Sequence, residues 1–129
     1  MNNSKYSFLV IINTKCNLNC TGCSVLCSTK NEGWSISKEE FENNIKILKE
    51  KLPNLRTIDI TGGETLIHPD FMDLMDILIK YNNTAAHTQV WTNGLLLDKI
   101  SDDNLIKLYN NNIYFQKSLY PIFLEKHEE

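Results

Sequence analysis

The chain has 129 residues and a net charge of −3, set by 13 Lys and Arg against 16 Asp and Glu. That length fits one domain over residues 1–129, with roughly two thirds of the unfolded surface available for burial. Hydrophobic content of 42% and charged content of 22% exclude a disordered segment, and no block of like charge exceeds Glu128–Glu129, which excludes the basic footprint of a nucleic-acid or membrane-surface binder.

Tyr6–Thr14 (YSFLVIINT) is dense in β-branched and aromatic residues and predicts a buried strand. Its longest apolar run, Phe8–Ile12, is far short of the ~20 residues that cross a bilayer, and the first residues lack the pattern of a signal peptide. A cytoplasmic protein with no membrane partner is therefore expected. The stretch from Cys16 to Trp34 has no periodicity and predicts a long loop. Ser37 then opens a helix: its hydroxyl caps free amides, and Glu40 completes a capping box. Phe41, Ile45, Leu48 and Leu52 form the apolar stripe, and Pro53 stops it.

Leu55–Thr61 (LRTIDIT) predicts the second strand, ending in Gly62-Gly63-Glu64. A second helix is expected to open at Pro69, where a missing amide costs nothing, and to bury Phe71, Leu74, Met75 and Leu78. His87–Thr92 is a third strand closed by Asn93-Gly94, and Ser101 or Asp102 caps a short helix carrying Leu105 and Leu108. Ile113–Tyr120 (IYFQKSLY) is a fourth strand with Pro121 just beyond it.

The alternation makes an α/β protein of about four parallel strands and three helices with right-handed crossovers. Such units build an open doubly wound sheet or a β/α barrel, and both bind ligands at the carboxyl ends of their strands. The cysteines, Gly62–Glu64, Asn93-Gly94 and Ser118 all sit at or near such ends. On the second strand Thr57, Asp59 and Thr61 share one face and Ile58 and Ile60 the other. The third strand aligns Gln89, Trp91 and Asn93, and the fourth Gln116 and Ser118. A polar row along one face predicts a ligand-bearing lumen, with the apolar face taking the helices.

All four cysteines fall within Cys16–Cys27, too bunched to staple a fold and more in keeping with a metal site. The run Cys16-x3-Cys20-x2-Cys23 lets three thiolates wrap one compact centre. On a four-iron cube this leaves one iron open to a small molecule or a non-cysteine ligand. Zinc usually takes two well-separated pairs of ligands, which this run does not supply. Cys27 keeps two readings open: a bystander thiol, or the fourth ligand of a closed zinc site or electron-transfer cluster.

CNLNCTGC (Cys16–Cys23), GGETLIHPD (Gly62–Asp70), TNG (Thr92–Gly94) and SLYP (Ser118–Pro121) together resemble the successive motifs of the radical S-adenosylmethionine (radical SAM) superfamily. The resemblance runs from about Lys5 to Pro121. It implies a partial (β/α) barrel and a 4Fe-4S cluster on Cys16, Cys20 and Cys23, whose open iron chelates the amino and carboxylate groups of S-adenosyl-L-methionine. It further implies an enzyme, an oxidoreductase of unknown substrate. Reductive cleavage of the sulfonium would yield methionine and a 5′-deoxyadenosyl radical that takes a hydrogen atom from the substrate, with a reductant such as flavodoxin or ferredoxin. Gly62, Gly63 and Glu64 would border the methionine amino group, the glycines by close backbone approach and Glu64 by its carboxylate. Asn93 and Ser118 would be cofactor contacts.

Other readings stand beside these. Glu64 also reads as a helix-opening residue, His68 as a cap of the second helix beside Pro69, and Trp34 and Trp91 as packing residues. The position before the third cysteine, often aromatic in the family, is Gly22. The sequence reaches only the fourth of the family's six strand–helix units. A truncated barrel is thus expected, completed by a missing C-terminal half or a partner chain, with Lys117 solvating an edge strand. The competing functions are a truncated, non-catalytic iron–sulfur or zinc binding module and a subunit that only carries electrons.

Overall fold

Strands and helices alternate through the computed structural model, which describes residues 6–18, 33–81 and 87–118. Strand β1 (Ser7–Asn13) is followed by α1 (Lys38–Lys51), β2 (Thr57–Gly62), α2 (Phe71–Tyr81), β3 (His87–Thr92), α3 (Asp102–Asn110) and β4 (Ile113–Lys117). The four strands form one parallel sheet in the order β1-β2-β3-β4. Each helix therefore returns the chain to the strand next door. With crossovers of one hand, that order places all three helices on the same face. The expected α/β fold with four parallel strands and three helices is present.

Residue chemistry explains each element. Ser37 caps α1 by accepting from the Glu40 amide at 3.2 Å, as its sequence implied, and Ser101 caps α3 through the Asn104 amide at 3.2 Å. Phe41, Ile45 and Leu48 of α1 meet Phe71, Leu74, Met75 and Leu78 of α2 over Ile58, Ile60 and Val90 of the sheet, forming one continuous core. Leu108 and Ile113 extend that core under α3. Leu52 ends α1 and stays exposed, so the stripe is one residue shorter than expected. After α3, Asn112 takes the left-handed conformation (φ 59°) that turns the chain into β4; asparagine tolerates this better than most residues.

Two departures from expectation bear on the carboxyl ends. A 3₁₀ turn over Thr65–Ile67 precedes α2, which begins at Phe71 rather than Pro69. The Glu64 side chain caps that turn through the Leu66 amide, and His68 then accepts from the Asp70 and Phe71 amides where α2 begins. Second, the β1–β2 register slips between Ile11 and Asn13, so that Ile12 and Asn13 are both fully buried although adjacent. The bulge re-aims Asn13 away from the face that simple alternation would give it. Strand β4 is described as far as Lys117, and Leu119, Tyr120 and Pro121 lie outside the described residues.

Candidate functional site

The loop that carries the cysteines leaves the top of β1 and returns beside it. The Thr14 amide donates to the Trp34 carbonyl at 2.8 Å, the Ile36 amide donates to the Ile12 carbonyl at 2.9 Å, and the Trp34 amide donates to the Thr14 hydroxyl at 2.8 Å. Asn13 and Ser35 form an antiparallel bridge. This stem holds both ends of the loop together, so much of the entropy of closing it is already lost in the fold. Cys16 sits two residues beyond the stem, half-buried, with its Sγ accepting from the Leu18 amide at 3.4 Å. Cys20, Cys23 and Cys27, and also Gly22, lie outside the described residues.

The end of β2 is fastened to this loop. The Gly63 amide donates to the Asn13 carbonyl at 3.1 Å, the Glu64 amide to the Lys15 carbonyl at 2.8 Å, and Asn13 Nδ2 to the Glu64 carbonyl at 2.9 Å. Gly62 is required by this approach: a Cβ there would lie 2.2 Å from Asn13 Oδ1 and 2.7 Å from the Asn13 carbonyl oxygen. Asn13 Oδ1 is buried and has no hydrogen-bond partner.

The Glu64 carboxylate, expected to border the methionine amino group, is held by neighbouring turns. The side chain is fully buried. Its Oε1 accepts from the Thr92 hydroxyl at 2.6 Å and the Leu66 amide at 3.1 Å, and its Oε2 accepts from the Asn93 amide at 2.8 Å. The helix-opening reading of the same residue describes what it does, together with a bond across to β3 that the sequence did not suggest. Asn93 continues the chain of contacts. Its Nδ2 donates to Asn17 Oδ1 at 2.8 Å, inside the cysteine loop, while its Oδ1 accepts from the Leu95 amide at 3.0 Å. Gly94 follows with φ 84°, a conformation that disfavours any side chain, and its amide donates to Thr92 Oγ1 at 3.0 Å. The Ser118 amide donates to the Thr92 carbonyl at 3.0 Å.

The expected residues Cys16, Gly62, Gly63, Glu64, Asn93 and Ser118 are thus gathered at the carboxyl ends of adjacent strands. Asn13, Asn17, Thr65 and Thr92 belong with them and were not singled out as site residues. Thr65 Oγ1 donates to the Trp91 carbonyl at 2.9 Å and binds the 3₁₀ turn to β3. Asn17, Thr65 and Thr92 lie inside the quoted motifs, while Asn13 is a polar residue inside an apolar strand. His68 is buried and structural as expected: Nδ1 accepts from the Asp70 amide at 3.1 Å, which makes Nε2 the donor to the Ile36 carbonyl at 2.8 Å. Trp34 and Trp91 depart from the packing role expected of them, with 46% and 41% of their surface exposed.

The description "Radical SAM superfamily" belongs to the family model that matches residues 10–117, most of the chain. The chain belongs to the radical SAM superfamily. Its relatives include the antilisterial bacteriocin subtilosin biosynthesis protein AlbA of Bacillus subtilis (strain 168), 32% identical over 88% of this chain and 24% of AlbA. A probable GTP 3′,8-cyclase of Thermoplasma volcanium is 31% identical over 70% of this chain and 26% of its own length. The chain thus spans about a quarter of the length of these curated relatives. Among solved structures, BtrN in complex with AdoMet and 2-DOIA aligns with a TM-score of 0.71 at 20% identity, covering 94% of this chain and 48% of BtrN. At that identity the likeness is one of fold, and it supports the radical SAM type of α/β architecture.

The residues present suit the groups this family carries. Thiolates are the natural ligands of iron–sulfur clusters, and an amide donating to the sulfur, as Leu18 does to Cys16, is a known lever on cluster potential. The donorless Asn13 Oδ1 beside Gly62 is an acceptor of the kind an ammonium group needs. Among the described residues no three His, Cys, Asp or Glu side chains converge as a metal site, and Cys16 is the described member of the expected trio. Among the described residues no helix is long and apolar enough to cross a membrane.

Proposed function

We propose that this chain carries the cofactor-binding part of a radical SAM enzyme, an oxidoreductase that reductively cleaves S-adenosyl-L-methionine. Cys16, Cys20 and Cys23 would hold a 4Fe-4S cluster. When bound and reduced, such a cluster supplies the electron that splits the sulfonium and releases a 5′-deoxyadenosyl radical for hydrogen abstraction from a substrate. The observation that carries the reading is the convergence of the cysteine loop, the Gly62–Glu64 turn and the Asn93-Gly94 turn through one hydrogen-bonded network.

Each part of this network has a task in that reaction. The stem at Thr14 and Trp34 ties the chain just before Cys16 to the strand ends. Gly62 lets the β2 backbone come close to its neighbours, and the unpartnered Asn13 Oδ1 would be an acceptor for the ammonium of the methionine moiety. Glu64 ties the two turns together beside that group. Asn93 steadies the loop through Asn17, and Ser118, at the end of β4, lies on the side where the nucleoside would rest. Low-potential flavodoxin or ferredoxin would be the electron source, and a further stretch of chain or a partner would complete the barrel. Relatives covered over only a quarter of their length do not define this protein's substrate.

Anaerobic reconstitution with iron and sulfide tests the reading. The expected result is a visible absorption band that bleaches with dithionite, and 5′-deoxyadenosine formed once S-adenosylmethionine is added. The Cys16, Cys20, Cys23 triple alanine variant should lose both. A colourless protein that binds zinc, or one whose cluster needs Cys27 as well, would overturn it in favour of a binding module. A cluster that bleaches without any cleavage would leave an electron carrier.

A further inference from the structure

With the helices on one face of the sheet, the other face carries no helix among the described residues, and its middle row is set by register. Leu9 of β1, Asp59 of β2, Gln89 of β3 and Tyr114 of β4 are successive partners across the strands, so their side chains share that face. His87 and Trp91 flank Gln89 on the same face by alternation. Asp59 is the only Asp, Glu, Lys or Arg among the strand positions there. Its Oδ1 is buried and has no hydrogen-bond partner. Two neighbouring polar groups have partners of their own: Gln89 Nε2 lies 3.4 Å from His87 Nε2, and the Tyr114 hydroxyl donates to Asn112 Oδ1 at 3.2 Å. A carboxylate oxygen withdrawn from water in the middle of a strand, with no donor from the protein, lacks the partner such a group requires.

We propose that Asp59 forms the floor of a binding site for an amine, whose ammonium group supplies the missing donor. Charge decides against the opposite class: an uncompensated carboxylate repels phosphate, and no cation stands on this face among the described residues. The neighbours suit a cation on an apolar stem. Leu9 is exposed, and Trp91 (41% exposed) and Tyr114 (39% exposed) supply aromatic surface of the kind that holds methylene groups and attracts an ammonium. Asp59 precedes Gly62 by three positions, so the site lies roughly 10 Å below the strand end where the cofactor is placed. A ligand of modest size would bridge that distance. Calling the amine a substrate rests on the function proposed above; its binding to Asp59 does not.

The test uses the full chain, reconstituted anaerobically, with Trp34→Phe introduced so that Trp91 is the sole tryptophan reporter. At constant ionic strength and without reductant, the protein is titrated with 1,4-diaminobutane, with a blocked tripeptide containing one lysine, and with GTP. Saturable Trp91 fluorescence changes are expected with one or both amines and none with GTP, the tighter amine showing whether the source is a free polyamine or a peptide. Asp59→Asn should weaken amine binding at least about tenfold, the scale of one hydrogen bond to a charged group. Asp59→Glu, which restores the charge, should recover most of it, and both variants are checked for native circular dichroism. Unchanged affinity in Asp59→Asn, failure of both amines to bind, or saturable GTP binding would overturn the proposal. Because no step of cleavage is read, its failure leaves the proposed chemistry standing, and the failure of cleavage leaves it standing in turn.

Discussion

Glu64→Gln separates a structural carboxylate from a ligand-facing one, because it keeps shape and removes one acceptor. In the native network Oε1 accepts from Leu66 and Thr92 and Oε2 from Asn93. A glutamine can place its oxygen at only one of these positions. With the oxygen at the Oε1 end, its NH₂ faces the Asn93 amide, donor against donor, in a fully buried setting. A bond to a charged group contributes about 1.5–3 kcal/mol, and a buried donor left unmade costs about 1–3 kcal/mol. Partial relaxation of the Thr92 hydroxyl softens the sum, so a loss of about 2–4 kcal/mol is expected. Domains of this size are stable by about 5–15 kcal/mol, so the change is large but survivable. In urea, with a slope of about 1–3 kcal/mol per molar, the unfolding midpoint should fall by roughly 1–2 M at unchanged slope. A midpoint within a few tenths molar of the native one, with weakened S-adenosylmethionine binding, would refute the argument and return Glu64 to the ligand.

Three further outcomes follow from the same geometry. Gly62→Ala places a methyl 2.7 Å from the Asn13 backbone oxygen, which cannot swing aside, so the variant should be poorly folded by circular dichroism; a native spectrum with native stability would show that β1 and β2 can separate freely. Asn17→Ala and Asn93→Ala each remove one end of a 2.8 Å bond, and a double-mutant cycle on the rate of cluster loss in air should show coupling of about 0.5–3 kcal/mol; strict additivity would mean the tether does not steady the loop. The Tyr81 hydroxyl, and then Lys80, hold the Glu42 carboxyl below its ordinary value of 4.5. A depressed folded value stabilises above the unfolded value and is lost as pH falls through the folded one. The melting-temperature gap between the native chain and Glu42→Gln should therefore hold steady from pH 7 to about 5 and close in more acid solution, and a gap that widens in acid contradicts the assignment.

Much of this architecture was legible because its causes are local. His87–Thr92 has the observed bounds of β3, a β-branched run closed by Asn93-Gly94. Ser37 with Glu40 located the start of α1, since a cap needs only residues three apart. The candidate residues were legible as motifs, which mark where they sit but not where their side chains go. Glu64 illustrates the limit: its partners Thr92 and Asn93 are 28 and 29 positions away, and no period or propensity encodes that pairing. The bulge at Ile12 and Asn13 escaped for a related reason. Alternation alone assigns the two residues opposite faces, whereas the return of the chain at Ser35 and Ile36 gives Asn13 a buried position at the loop stem. The exposed Trp91 was read as packing because tryptophan so often is. Alternation with Gln89 places Trp91 on the polar face, and there it is exposed rather than packed.

The arrangement of burial and hydrogen bonds divides the work between core and cysteine loop. Phe41, Ile60, Leu74, Met75, Leu78 and Val90 are buried between helices and sheet, and among the described residues the core holds no cysteine. The stem bonds of the loop are made by Thr14, Trp34, Ile12 and Ile36, again without sulfur. A zinc finger, by contrast, draws its folding energy from the metal and unfolds without it. Here the strands that position Cys16 have their own apolar core, and the turns that border it are tied by Glu64 and Asn93. On the function proposed above, a site assembled in this way would keep the strand ends in register through the loss and return of an oxygen-labile cluster. That is the physical requirement of a cofactor that must be built into an already folded chain.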